Sequence, residues 1–222
     1  MMPFENIVFL DLTIKGMLIG IVASAPMGPV GILCVQRTLN KGRWYGFATG
    51  VGAAISDIIY AIITGFGLSF AVDFIKEETT MFWCKLIGSI ILFIFGVWTF
   101  RCRPQLQNKG SHHRGTLWHN GLTGFLVTVS NPLIIALFLA MFAQFTFVVP
   151  DHFGQQLLGY FSILLGALMW WWLLTYIIDK VRASFDPGRI WIINRIIGTV
   201  VMVVSFLVFL STMLGLVGIV LI

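Results

Sequence analysis

Six apolar runs set the limits of what this chain can fold into. They cover about residues 14–36, 45–71, 82–100, 121–149, 155–178 and 191–220. About twenty residues of helix cross roughly 30 Å of hydrocarbon, so each run is long enough for one span. Runs this continuous call for helices, because the strands of a membrane barrel alternate over about ten residues. Only 10% of the residues are charged and 58% are hydrophobic, with mean hydropathy +0.95. An ordinary soluble domain carries about 25% charged residues, so a water-facing enzyme is disfavoured. The expectation is a single all-α transmembrane domain over residues 1–222, since no polar stretch is long enough for a second one.

The N-terminus reads as a retained span. Glu5 and Asp11 precede the first lysine, whereas a signal peptide wants a basic start. Ala23-Ser24-Ala25 resembles a cleavage site, but Pro26 follows it directly.

The net charge of +5 comes from basic residues in short clusters between the runs, a membrane pattern and not a nucleic-acid one. Arg37, Lys41 and Arg43 lie in the first connection. Arg101, Arg103, Lys109 and Arg114 lie in the third, and Lys180, Arg182, Arg189 and Arg195 in or beside the fifth. The second connection mixes Asp73, Glu77 and Glu78 with Lys76 and Lys85, and the fourth holds Asp151 without Lys or Arg. Odd connections are therefore expected on the cytoplasmic side of a bacterial inner membrane, with both termini outside.

The long polar connection, residues 101–119, divides the chain into two halves of three spans, at about 14–100 and 120–220. Ser24-Ala25-Pro26 echoes Ser130-Asn131-Pro132, and Lys85-Leu-Ile-Gly88-Ser echoes Arg195-Ile-Ile-Gly198-Thr, in the same order. Duplicated units of three spans must run in opposite directions through the membrane, the inverted-repeat plan of secondary transporters.

Three features carry chemistry. The first is Pro26-Met27-Gly28-Pro29 inside span 1. Two prolines remove backbone donors and clash with the preceding turn, so an unbroken helix is not expected. A break at membrane depth survives where protein or a water-filled cavity satisfies the backbone, and its half-helix start offers N–H groups to an anion. The second is Asn131-Pro132 in span 4, where Asn131 suits a helix cap and Pro132 a first helical position. The third is Asp57, near the middle of span 2 with no other charge between Arg43 and Asp73. A carboxylate there costs about 2.5–3.5 kcal/mol on insertion scales, so it must face protein or water. Gly50, Ala53, Ala54, Ala61 and Thr64 form a small-residue stripe on its helix, opposite Ile55, Ile58, Ile59, Ile62 and Ile63. Such a stripe suits the bundle interior. Desolvation favours the neutral form of a carboxyl group, so Asp57 is a candidate for proton exchange, and equally for binding a substrate ammonium.

Other residues carry less. Trp170, Trp171 and Trp172 read first as packing or lipid contacts, and Gln144 as an outer-interface or cavity residue. The four histidines have no ligand spacing, and Cys34, Cys84 and Cys102 form no CxxC pair, so neither a metal nor a disulfide framework is implied.

Pro26-Met27-Gly28-Pro29, Gly42, Gly46, Gly50, Asp57 and Gly65-Phe-Gly67-Leu68, then Lys85-Leu-Ile-Gly88 and Gly121…Asn131-Pro132, together resemble the lysine exporter (LysE/RhtB) family of amino-acid efflux translocators. The resemblance covers almost the whole chain. The usual family form is Pro-Gly-Pro; here Met27 intervenes. The resemblance implies a six-span inner-membrane secondary transporter, not an enzyme, exporting an amino acid or related metabolite, driven by the ion gradient. On the reading of the residues themselves, Pro26, Gly28, Pro29, Asp57, Asn131 and Pro132 are the expected substrate contacts, with Asp57 exchanging a proton or meeting the ammonium. The partners are then a small zwitterion, protons and the lipid bilayer, with Gly-rich faces that allow a homodimer, and no cofactor or nucleic acid. The wider superfamily also contains divalent-metal exporters and thiol-disulfide carriers. A single intramembrane carboxylate without a His or Cys cluster argues against the first, and the lack of two reactive thiols that can meet argues against the second.

Overall fold

The computed structural model describes residues 3–70, 78–101, 115–131, 133–145, 147, 153–181 and 190–214. Pro132, Cys102, His112, His113, Asp151, His152 and most of the basic third and fifth connections lie outside the described residues. The described residues form eight helices and no strand. They are α1 (Pro3–Ser24), α2 (Pro29–Lys41), α3 (Arg43–Phe70), α4 (Glu78–Arg101), α5 (Leu117–Val129), α6 (Leu133–Phe145), α7 (Phe153–Lys180) and α8 (Ile190–Met213). Among them α3, α4, α7 and α8 are each long and apolar enough to cross a membrane alone. The pairs α1–α2 and α5–α6 reach that length only together, bent by 79° and 73°. The described residues thus offer four to six candidate spans. The first and fourth apolar runs are the two bent pairs, and α1 begins at Pro3, well before the apolar run that marks it in the sequence.

The first bend follows from its prolines. Ala25 N–H makes the last helical bond of α1, to Ile21 O at 2.8 Å. Pro26 has no N–H to continue the ladder. Gly28 N–H closes a three-residue turn onto Pro26 O at 2.8 Å, and Gly28, with extended backbone, precedes Pro29 as the first residue of α2. Proline is favoured there because a first-turn N–H has no helical partner anyway. Gly42, at φ 108°, then ends α2 by donating to Arg37 O and Thr38 O, and α3 starts at the next residue.

Small residues bring the helices together. The most extensive packing joins α4 to α8, α3 to α5 and α1 to α7. A Cβ on Gly20 would fall onto the Ile163 carbonyl of α7, and one on Gly52 onto the Gly121 carbonyl of α5. These backbones can touch only because both positions are glycine, the usual way helices associate where lipid supplies no hydrophobic drive. One apolar cluster, including Ile19, Phe138, Met141, Phe142 and Ile163, fills the space among α1, α6 and α7. A second, with Met27, Cys34, Val35, Ala53, Ala54, Ala167 and Trp171, surrounds the first bend and reaches α2, α3 and α7.

Candidate functional site

The stripe on α3 faces inward as its sequence demands. Gly50, Ala53, Ala54, Ala61 and Thr64 are buried, while Ile55, Ile59 and Ile63 are exposed. Ile58 and Ile62 are half-buried and pack on the core, so the outer face is narrower than five isoleucines suggest. Asp57 lies on the inner side, 5% exposed, and the Ser24 hydroxyl at the end of α1 donates to its Oδ2 at 3.3 Å.

Both bends open onto one cavity of about 350 Å³. Pro26, Gly28, Pro29, Asp57 and Asn131 all line it. Five of the six residues singled out from sequence are therefore in one place; the sixth, Pro132, lies outside the described residues. Val30 and Gly31, in the first turn of α2, line the same space. First-turn amides of a helix have no acceptor within it, so this wall supplies donors and the positive end of a helix dipole. Asp57 supplies an acceptor and a negative charge. Ser24, Thr128, Ser130 and Asn131 add polar groups, and Phe95, Trp98, Val127, Ile134, Leu137 and Trp171 make the rest largely apolar.

Several residues that shape the site carried no sequence argument. Asn194, buried near the start of α8, accepts the Met27 backbone N–H on Oδ1 at 2.8 Å. The residue that separates this motif from Pro-Gly-Pro is thus held by a side chain from the far end of the chain, and its own side chain is packed in the core. A lone Asn in an apolar run was the available signal. Phe95 and Trp98 had none, because an apolar residue on an apolar helix looks the same facing lipid or cavity. Of the three consecutive tryptophans, Trp171 is buried and lines the cavity. Trp172 is exposed and stacks on Tyr176, as a lipid-side residue would. Gln144 is half-buried and is not among the residues lining the cavity. Among the described residues no three His, Cys, Asp or Glu side chains gather as metal ligands, and Cys34 and Cys84 are both free.

Paired bent helices around a partly polar cavity, in a chain of apolar helices, define the class of a membrane translocator. The chain matches the family of LysE type translocators over residues 21–212, and it belongs to that family. It is 28% identical over 166 residues to the protein named "Putative amino acid efflux protein YcgF" of Bacillus subtilis (strain 168), covering 72% of this chain and 77% of that protein. It is 24% identical over 172 residues to the uncharacterized membrane protein YahN of Escherichia coli (strain K12), covering 75% of each. No solved structure matches the chain.

Proposed function

We propose that this translocator exports an amino acid or a closely related zwitterion across a bacterial inner membrane, in exchange for protons. The observation that carries the reading is the convergence of both helix bends and the one mid-span carboxylate on a single cavity. The amides at the start of α2 would receive the substrate carboxylate. Asp57 would take the substrate ammonium or a proton, and competition between the two is a simple route to antiport. Membership in a translocator family and the efflux name of the Bacillus relative support the direction and the substrate class.

In this reading residues 1–222 are one transporter domain built from two inverted halves. Its support is the matched order of elements: a bent pair, then a helix of 28 residues, then one of 24, in each half. The basic third connection would be cytoplasmic and both termini external. Single cysteines at positions 108 and 151, in a background without the native cysteines, should then label oppositely with an impermeant thiol reagent in intact cells. Labelling of 108 from outside would reverse the orientation.

The deciding experiment is efflux from proteoliposomes loaded with labelled amino acids, with and without an imposed pH gradient. Export of an amino acid that the gradient accelerates is the expected result. Export indifferent to the gradient would remove proton antiport, and absence of export across the panel would remove the substrate class.

A further inference from the structure

The cavity distributes its charge unevenly. Among the described residues that line it, Asp57 is the single charged side chain. Its other polar contributions come from Ser24, Thr128, Ser130, Asn131 and the first turn of α2. Three of these hydroxyls already donate within the protein: Ser24 to Asp57 Oδ2, Thr128 to Gly124 O and Ser130 to Leu126 O. The large apolar side chains of the wall are Phe95, Trp98, Val127, Ile134, Leu137 and Trp171. These come from four different helices, so the apolar surface wraps the cavity and is not one face of it.

We infer that the transported amino acid has a neutral, apolar side chain, of the leucine or phenylalanine kind. The inference rests on the cavity being the transport site. An α-amino acid brings one ammonium and one carboxylate to any such site. Asp57 matches the first, and the α2 amides match the second. Once both backbone groups are paired, the described lining holds no charge for a third. A lysine side chain would place an ammonium against aromatic and aliphatic walls with no second carboxylate. A glutamate side chain would place a carboxylate there with no cation. An unpaired buried charge is among the most expensive groups a protein can hold. The branched and aromatic walls favour a side chain that fills them. A volume of about 350 Å³ sits at the small end of ligand pockets, suiting a single amino acid over a peptide.

The test is competition in proteoliposomes that export labelled leucine, using unlabelled leucine, phenylalanine, threonine, lysine and glutamate, with binding to the purified protein followed by thermal shift. Leucine and phenylalanine should compete best, threonine less well, and lysine and glutamate on the order of 100-fold more weakly. Ile134→Asp, which adds a second acid to the apolar wall, should raise lysine relative to leucine by on the order of tenfold. If that variant does not fold, Val127→Asp offers the same change from another helix. Lysine or glutamate competing as well as leucine in the wild type would overturn the apolar class while leaving amino-acid export standing. No export and no thermal shift with any member of the panel would overturn this inference and the transport reading beneath it together.

Discussion

The two helix bends turn the chain by nearly the same angle and are held in different ways. The first, between Ser24 and Pro29, is a tertiary structure. Its Met27 N–H is bonded to Asn194 of α8, its Ser24 hydroxyl to Asp57 of α3, and Ala25 and Met27 are buried. The second, between Val129 and Leu133, carries several bonds within its own segment. Ser130 N–H reaches Leu126 O, Asn131 N–H reaches Thr128 O, and Asn131 O receives Ile134 N–H. The Ser130 hydroxyl also returns to Leu126 O, and Val129 and Ser130 are exposed. From α3 the Tyr60 hydroxyl also donates to Val129 O. The helices that follow differ too. Counted from the first residue of each 28-residue helix, Asp57 of α3 stands where Ala167 stands in α7, and both are buried. A similar bend angle therefore does not mean similar chemistry. The charge sits with the first bend, and so does the bond from Asn194 to a buried backbone N–H.

If that is so, damage to the first half should exceed damage to the second. The largest effect is expected at Asp57. Asp57→Asn keeps the size and can still accept from Ser24, but removes the titrating charge. Net efflux against a gradient should be abolished, and the pH dependence of wild-type transport should flatten. Exchange of labelled for unlabelled substrate separates the two roles: it survives if Asp57 only carries protons and is lost if it holds the ammonium. Unchanged net efflux and an unchanged pH profile would remove Asp57 from the mechanism.

Next comes the first bend itself. Replacing Pro26 and Pro29 together with alanine should favour a continuous helix and withdraw the α2 amides from the cavity. An anion at a helix N-terminus gains up to about 2 kcal/mol in a partly buried setting, so substrate affinity should fall by up to roughly 30-fold. Insertion and yield should persist, which size-exclusion profiles would check. Normal transport in the double variant would make the bend a packing feature.

The sequence already carried most of this. Period 3.6 separated the Gly/Ala stripe from the isoleucine face of α3, and the prolines located both bends, because each signal is local. The contacts that make the first bend tertiary were not visible. Asn194 lies 167 positions from Met27, and no local rule connects them. Ser24 could be matched to Ser130 by repeat, yet the first donates to a carboxylate on another helix and the second to its own helix. Nor could the wall be read, since Trp171 faces the cavity and its neighbour Trp172 does not. Periodicity tells one side of a helix from another. Where lipid and core are both apolar it cannot tell which side meets which.

A third prediction concerns what fixes the first bend. Asn194→Ala would leave the buried Met27 N–H without its acceptor, at a cost of about 1–3 kcal/mol. The loss should appear as a lower unfolding temperature in detergent, with a weaker effect on transport than the proline pair. Asn194→Asp keeps an oxygen in place and should recover part of the stability. If alanine and wild type unfold together, α8 does not hold the bend.

The smallest effect is expected from the matching change at the second bend. Tyr60→Phe deletes the hydroxyl that α3 extends to Val129 O and changes little else. Interhelical hydrogen bonds within membrane proteins average about 0.6 kcal/mol, partly because the freed groups find other partners. Val129 is exposed, so its carbonyl can turn to such a partner more readily than the buried Met27 N–H can. The backbone bonds at Ser130, Asn131 and Ile134 do not involve Tyr60 and should keep the turn closed. Tyr60→Phe should therefore unfold within a degree or two of wild type and retain nearly full efflux. The decisive quantity is the difference between the two variants, measured in the same detergent. Asn194→Ala clearly below Tyr60→Phe means that the contact from α8 holds the first bend more firmly than the contact from α3 holds the second. Equal losses, or the reverse order, would mean that the second bend is held from outside as firmly as the first, and the asymmetry between the halves would then reduce to Asp57 alone.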